Sequence, residues 1–158
     1  PIRAKARPFF DSIFSAGHYV ATGVFSYSLI MDVLGKSVSW VTVMYCALAG
    51  MCWAIAMHAY SAVPDIKADI DARLKTIATV LQKKNTVIVC ALLYAIAAIL
   101  SYSYLGIISV ILGTIYVFFM IISLRASEDK FFKIYTYFPI INTLSGMAIF
   151  FTLLFKAL

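Results

Sequence analysis

The sequence predicts an all-α polytopic transmembrane helix bundle, and three observations carry that prediction. The 158 residues are 63% hydrophobic and 13% charged, with a mean hydropathy of +0.95, well outside the composition of a soluble domain. Apolar stretches of about 20 residues, the length of a membrane span, recur along the chain. Lys and Arg gather in the segments that separate alternate stretches.

Five spans are expected, roughly Ile13–Leu34, Val38–Val63, Thr86–Tyr104, Leu105–Ser123 and Phe138–Phe155. The third and fourth form one apolar run about twice a span in length. Their turn is placed at Tyr102–Gly106, where Gly106 and the serines loosen a helix. A long soluble core helix explains any one stretch, but not five in a chain of this size. With the N-terminus inside, eleven of the thirteen cations are cytoplasmic: Arg3, Lys5, Arg7, Lys67, Arg73, Lys75, Lys83, Lys84, Arg125, Lys130 and Lys133. Lys36 and Lys156 remain outside. That asymmetry predicts a multi-pass protein of the cell membrane whose N-terminus and loop at about 64–84 are cytoplasmic. The net charge of +6 therefore sits at one membrane face, suited to anionic headgroups or a soluble anionic substrate rather than nucleic acid.

Cys46, Cys52 and Cys90 lie within expected spans without a metal-ligand spacing and read as small buried apolar side chains. The chain opens on Pro1 without a signal peptide, which reads as a start inside a loop. Without repeats or a soluble linker, residues 1–158 are expected to form a single membrane domain.

The most informative segment is Tyr60–Leu81, YSAVPDIKADIDARLKTIATVL, a charged island between two spans. Pro64 ends the second span, and Asp65 is a good helix starter. With no Gly or Pro from there to about Leu81, one helix is expected. It would place Asp65, Asp69 and Arg73 on one stripe, and Lys67, Asp71 and Lys75 on a second, displaced by about 200°. Two carboxylates one turn apart suit Mg²⁺, which takes one or two carboxylates and fills its other sites with water and substrate phosphate. Arg73, Lys75 or Lys67 can meet phosphate oxygens. Spacing alone leaves a second reading open, a solvated amphipathic helix laced by i,i+4 ion pairs.

The whole string resembles the second aspartate-rich motif of the UbiA superfamily of intramembrane prenyltransferases, and most closely its lycopene elongase and carotenoid prenyltransferase branch. The pattern there runs roughly SAxPDIxxDxxxGxxTxATxLG, and Ser61, Ala62, Pro64, Asp65, Ile66, Asp69, Thr76, Ala78, Thr79 and Leu81 match it. Pro1-Ile2-Arg3-Ala4-Lys5 is similar to the end of the YSxPPxRxK loop, whose Arg contacts diphosphate. Phe9-Phe10-Asp11-Ser12 and Gly17-His18-Tyr19 also look like the carotenoid branch. The resemblance covers the chain as the C-terminal part of a bundle of about nine spans. Three positions depart from it: Arg73 and Gln82 stand where the pattern has Gly, and Lys67 where it is often acidic. The first motif, of the NDxxDxxxD kind, is absent, which leaves half the metal site.

The resemblance implies Mg²⁺-dependent transfer of an isoprenyl group from an allylic diphosphate to a lipophilic acceptor, with a carotenoid such as lycopene as the candidate. It assigns metal ligation and catalysis to Asp65 and Asp69, and diphosphate binding to Arg3, Lys5, Arg73 and Lys75. His18 and His58, both near the cytoplasmic ends of their spans, are candidate pocket residues or proton acceptors, against helix-to-helix hydrogen bonding as the plainer role. Asp11, seven residues before His18, can orient it. Tyr19, Tyr27, Tyr60, Tyr102 and Tyr104 read first as an aromatic belt near the membrane interfaces, and Tyr60, just before the island helix, is the one placed to reach the site. The expected partners are the allylic diphosphate, the acceptor, the bilayer and a missing N-terminal half, or a partner chain, bearing the first motif; these residues alone are not expected to turn over. Alternatives are a quinone-precursor or glycerolipid prenyltransferase and a non-catalytic half-length membrane subunit.

Overall fold

The computed structural model describes residues 7–157, and every element within them is helical: α1 (Phe10–Val33), α2 (Trp40–Ser61), α3 (Ile66–Asp71), α4 (Ile77–Leu105), α5 (Ile107–Arg125), α6 (Glu128–Tyr135) and α7 (Phe138–Ala157). The five long helices fall on the five expected stretches. Four segments are long and apolar enough to cross a membrane: α2, α4, α5 and Glu128–Lys156, whose apolar part is α7. Helix α1 has the length, at 24 residues, but Asp11, His18, Asp32 and its serines dilute its apolar character. Large apolar side chains cover the outside, with Val33 78% and Ile99 74% exposed. Such a surface is stable against lipid, where burying it brings no gain, and unstable against water.

The turn between α4 and α5 falls at Gly106, whose φ of +60° and ψ of −136° suit a residue without a Cβ. Helices α1, α2, α4 and α5 pack in sequence, and α7 lies against α4 and α5. Small residues permit the close approaches. Ala54, Ala56 and Ala59 are buried on α2, and the Cys90 thiol of α4 donates to the Ala56 carbonyl at 3.4 Å. At the α4–α5 contact, a Cβ on Gly113 would lie 2.5 Å from that of Ala98.

The bundle has two distinct ends. At one, α2 runs into the charged island and Lys83 of α4 donates to the Ala126 carbonyl at 2.6 Å, closing the end of α5. The same ammonium lies 4.8 Å from the centre of the Phe131 ring of α6. At the other end, Lys156 donates to the Tyr104 carbonyl at 2.6 Å.

Three expectations are corrected. The single helix across the island is two: α3 stops at Asp71 and α4 begins at Ile77, ahead of the expected Thr86. Tyr60 is fully buried rather than at an interface. Of the three cysteines only Cys90 is buried; Cys46 is exposed and Cys52 partly so, because the α2 surface carrying them is only partly covered by neighbouring helices.

Candidate functional site

The island is built by two local signals that a search for Gly and Pro passes over. The amide of Arg73 donates to the Ile70 carbonyl at 3.0 Å and that of Leu74 to the Asp69 carbonyl at 2.8 Å. This paired closure, with Arg73 left-handed at φ +57°, is a Schellman cap, and it terminates α3. Thr76 then starts α4 through a reciprocal cap: the Thr79 amide donates to Thr76 Oγ1 at 3.3 Å, and the Thr76 amide to Thr79 Oγ1 at 2.9 Å. Arg73 therefore leaves the Asp65–Asp69 stripe, and Lys75 leaves that of Lys67 and Asp71. Both of the pattern's Gly positions that this chain fills with larger residues are left-handed, Gln82 at φ +60°, ψ 165°, where α4 kinks.

Asp65 and Asp69 stay one turn apart, joined by the Asp69 amide donating to the Asp65 carbonyl at 2.8 Å. Asp65 is exposed and Asp69 half-buried. The Thr76 hydroxyl donates to Asp69 Oδ2 at 3.3 Å, so Asp69 is held by side chain and backbone beside the positive N-terminus of α4. Among the described residues no ion pair reaches either carboxylate, so the i,i+4 pairs of the solvated-helix reading do not form. Nor do three His, Cys, Asp or Glu side chains among those residues gather into a metal cage. Two open carboxylates without a cage are a donor set that fits Mg²⁺, which takes its remaining ligands from water and phosphate. Arg73, Lys75 and Lys67 are exposed, and Arg73 and Lys75 flank the Leu74 amide bound to Asp69. Arg3 and Lys5 lie outside the described residues.

The pocket candidates separate. Tyr60 donates to or accepts from Ser123 at 2.8 Å and packs its ring against Phe119, Phe131, Tyr135 and Phe138, with centroids 4.7–5.8 Å away. Each such aromatic pair contributes about 0.5–1.5 kcal/mol beyond area burial, so Tyr60 anchors this end of the bundle. His18 is exposed, and its Nδ1 donates to the Phe14 carbonyl of its own helix at 2.7 Å. Asp11 does not orient it. Residues seven apart share a helical face, but Asp11 is buried and its Oδ2 faces His58 Nε2 on α2, 3.9 Å away. That pairing and the Thr76 contact to Asp69 were missed by sequence reasoning. The T-x-x-T spacing signals the second; nothing local signals the first.

Beyond the Tyr60 cluster, an apolar cavity of about 550 Å³ lies among α2, α4, α5 and α7, lined in part by Trp53, Tyr94, Tyr116 and Asn142. The Tyr116 hydroxyl donates to Asn142 Oδ1 at 2.7 Å, while the buried Tyr94 hydroxyl has no partner among the described residues.

No family model matches the chain, and no solved structure matches it. It is similar to curated proteins named lycopene elongase/hydratase: 33% identical over 149 residues to that of Haloarcula japonica, covering 93% of this chain and 47% of the relative. With that of Haloferax volcanii it shares 31% over 155 residues, covering 94% and 46%, and with that of Halobacterium salinarum 31% over 149 residues, covering 93% and 50%. The chain spans about half the length of the curated relatives it matches.

Proposed function

We propose that this chain belongs to a carotenoid-modifying membrane enzyme, and that it carries one metal clamp of a UbiA-type prenyltransferase, with lycopene as the acceptor. The observation that carries the reading is the Asp65–Asp69 pair, one helical turn apart, unpaired among the described residues and fixed by Thr76 at the mouth of an apolar bundle. Similarity to lycopene elongase/hydratases over more than nine-tenths of the chain supports it.

Asp65 and Asp69 would hold Mg²⁺, which when bound neutralises charge on a diphosphate leaving group. Arg73 and Lys75, at the same end, place cationic donors where diphosphate oxygens arrive, and Arg3 and Lys5 are assigned to the same anion. Thr76 holds Asp69 Oδ2, leaving its other oxygen free for ligation. The apolar helices beneath exclude water from a carbocation-like allylic centre. The cation bias at the island end supports a cytoplasmic mouth.

The test supplies a labelled allylic diphosphate, Mg²⁺ and lycopene to membranes holding the complete protein. Asp65→Asn and Asp69→Asn should each lower transfer by at least about a hundredfold, roughly 2.7 kcal/mol, without moving the thermal midpoint by more than a few degrees. Wild-type turnover by both variants would sink the assignment. Parallel incubations with a quinone precursor and an archaeal glycerolipid identify the acceptor class.

A further inference from the structure

The cavity among α2, α4, α5 and α7 stands apart from the island. Its lining runs from Trp53 back to Thr42 along α2 and from Asn142 to Leu153 along α7, about 16 Å of helix axis at ~1.5 Å per residue. That is roughly half the ~30 Å hydrocarbon core, on the side away from the island. No island residue lines it, and Tyr60, Phe119 and Phe138 stand on three of the same helices between the two. Its volume of about 550 Å³ is that of a small-molecule site. Among the described residues no Asp, Glu, Lys, Arg or His lines it, so an anionic group would enter without a counter-charge. Unpaired hydrogen-bonding groups gather at its inner end. Tyr94 is 2% exposed, and its hydroxyl has no partner among the described residues. Its ring stacks on that of Tyr116 with centroids 4.3 Å apart, and the Tyr116 hydroxyl donates to Asn142 Oδ1 at 2.7 Å. The Asn142 side-chain nitrogen keeps two N–H donors with no recorded partner among the described residues. Halfway through a bilayer no water relieves such groups. The serines towards the outer end differ, since Ser101 and Ser109 bond each other at 3.0 Å.

We propose that this cavity is a second lipid site, separate from the metal clamp, and that it takes a neutral lipid alcohol: a long apolar chain ending in one hydroxyl, held by Asn142 and Tyr94. The proposal stands independently of the prenyl-transfer reading. The chain occupies the apolar length between Trp53 and Thr42, with its hydroxyl at the inner end. A hydroxyl both donates and accepts, so it accepts from the Asn142 amide and pairs with the Tyr94 hydroxyl in either sense. A hydrocarbon of the same shape leaves both groups unpaired. A carboxylate of the same length brings a charge that no cation in the lining meets.

The probes are all-trans-retinol, its deoxy hydrocarbon analogue and retinoate. Each is titrated into the complete protein in phosphatidylcholine nanodiscs, and binding is read as loss of Trp53 emission by energy transfer to the polyene. Trp53→Phe identifies that share of the signal. Retinol should bind about tenfold more tightly than the hydrocarbon, the worth of pairing groups otherwise left unsatisfied, and retinoate no more tightly than the hydrocarbon. Asn142→Leu should bring retinol and the hydrocarbon to within about twofold of each other. Gly146 lines the cavity, and a Cβ there meets nothing within 4 Å, so Gly146→Phe should fill the space and abolish binding of both. Removal of Mg²⁺ by a chelator should leave retinol binding unchanged. Equal affinity for retinol and the hydrocarbon in the unmutated protein overturns the proposal, even where the variants do not fold. So does retinol binding that survives Gly146→Phe, or that is lost with Mg²⁺, since the alcohol then sits elsewhere. A protein that binds retinol in this way but transfers no isoprenyl group fails the function proposed above and leaves the site standing.

Discussion

Arg73 holds a left-handed backbone at φ +57° in order to close α3, a conformation that costs an L-residue about 1–2 kcal/mol relative to the right-handed one. Glycine avoids that cost but loses more entropy on folding, so Arg73→Gly should stabilise the protein by roughly 0.5–1 kcal/mol. The same change removes a cation from the proposed diphosphate site. Stability and KM for the allylic diphosphate should therefore worsen and improve in opposite senses: a higher thermal midpoint in detergent, with a higher KM. A fall in both would show that Arg73 makes contacts that the protein needs to fold. Gln82 occupies φ +60°, ψ 165°, a region nearly reserved for glycine, and its Nε2 donates to the Thr79 carbonyl at 2.6 Å. The resemblance to the aspartate-rich pattern implies glycine at both positions. It could not show that the backbone keeps glycine's conformation there, because the surrounding caps impose it.

The island's elements depend on caps more than on helix propensity. Thr76 Oγ1 serves two groups at once, accepting from the Thr79 amide and donating to the Asp69 carboxylate. Thr76→Ala should destabilise the start of α4 by about 0.5–2 kcal/mol. It should also weaken the proposed Mg²⁺-dependent transfer, with Thr76→Ser recovering both; hydrogen exchange at the Thr79 and Val80 amides reads the first effect. Lys83 joins α4 to the α5–α6 junction through the Ala126 carbonyl and the Phe131 ring. Lys83→Met should lower stability by about 1–2 kcal/mol, measured by thermal unfolding in detergent. The five long helices were legible as apolar runs, since about 20 such residues have few other fates. The break at Arg73–Lys75 was not. No breaker residue marks it, and the bonds that make it join amides to carbonyls that any sequence possesses.

Across the whole molecule, tight helix approaches set the bundle. A Cβ on Gly113 would stand 2.5 Å from Ala98 Cβ, and neither group can swing away. Gly113→Ala should cost about 1–3 kcal/mol by forcing α4 and α5 apart. Pairing it with Ala98→Gly should recover most of that loss, and a thermal-unfolding double-mutant cycle in detergent measures the coupling. Composition, span length and the one-sided cations determined a membrane bundle of five long helices and located its charged mouth, because those are properties of each segment against its solvent. The DxxxD spacing likewise determined that Asp65 and Asp69 share a turn, since one helical turn is a local matter. The remaining features depended on chain segments far apart in sequence. Tertiary packing alone turned Asp11 toward His58 instead of His18, buried Tyr60 among Phe119, Phe131 and Phe138, and left an apolar cavity among four helices. A helix presents several faces of nearly equal hydrophobicity to lipid and to protein. Which face meets a neighbour is settled only when the neighbour's small and large side chains are in place.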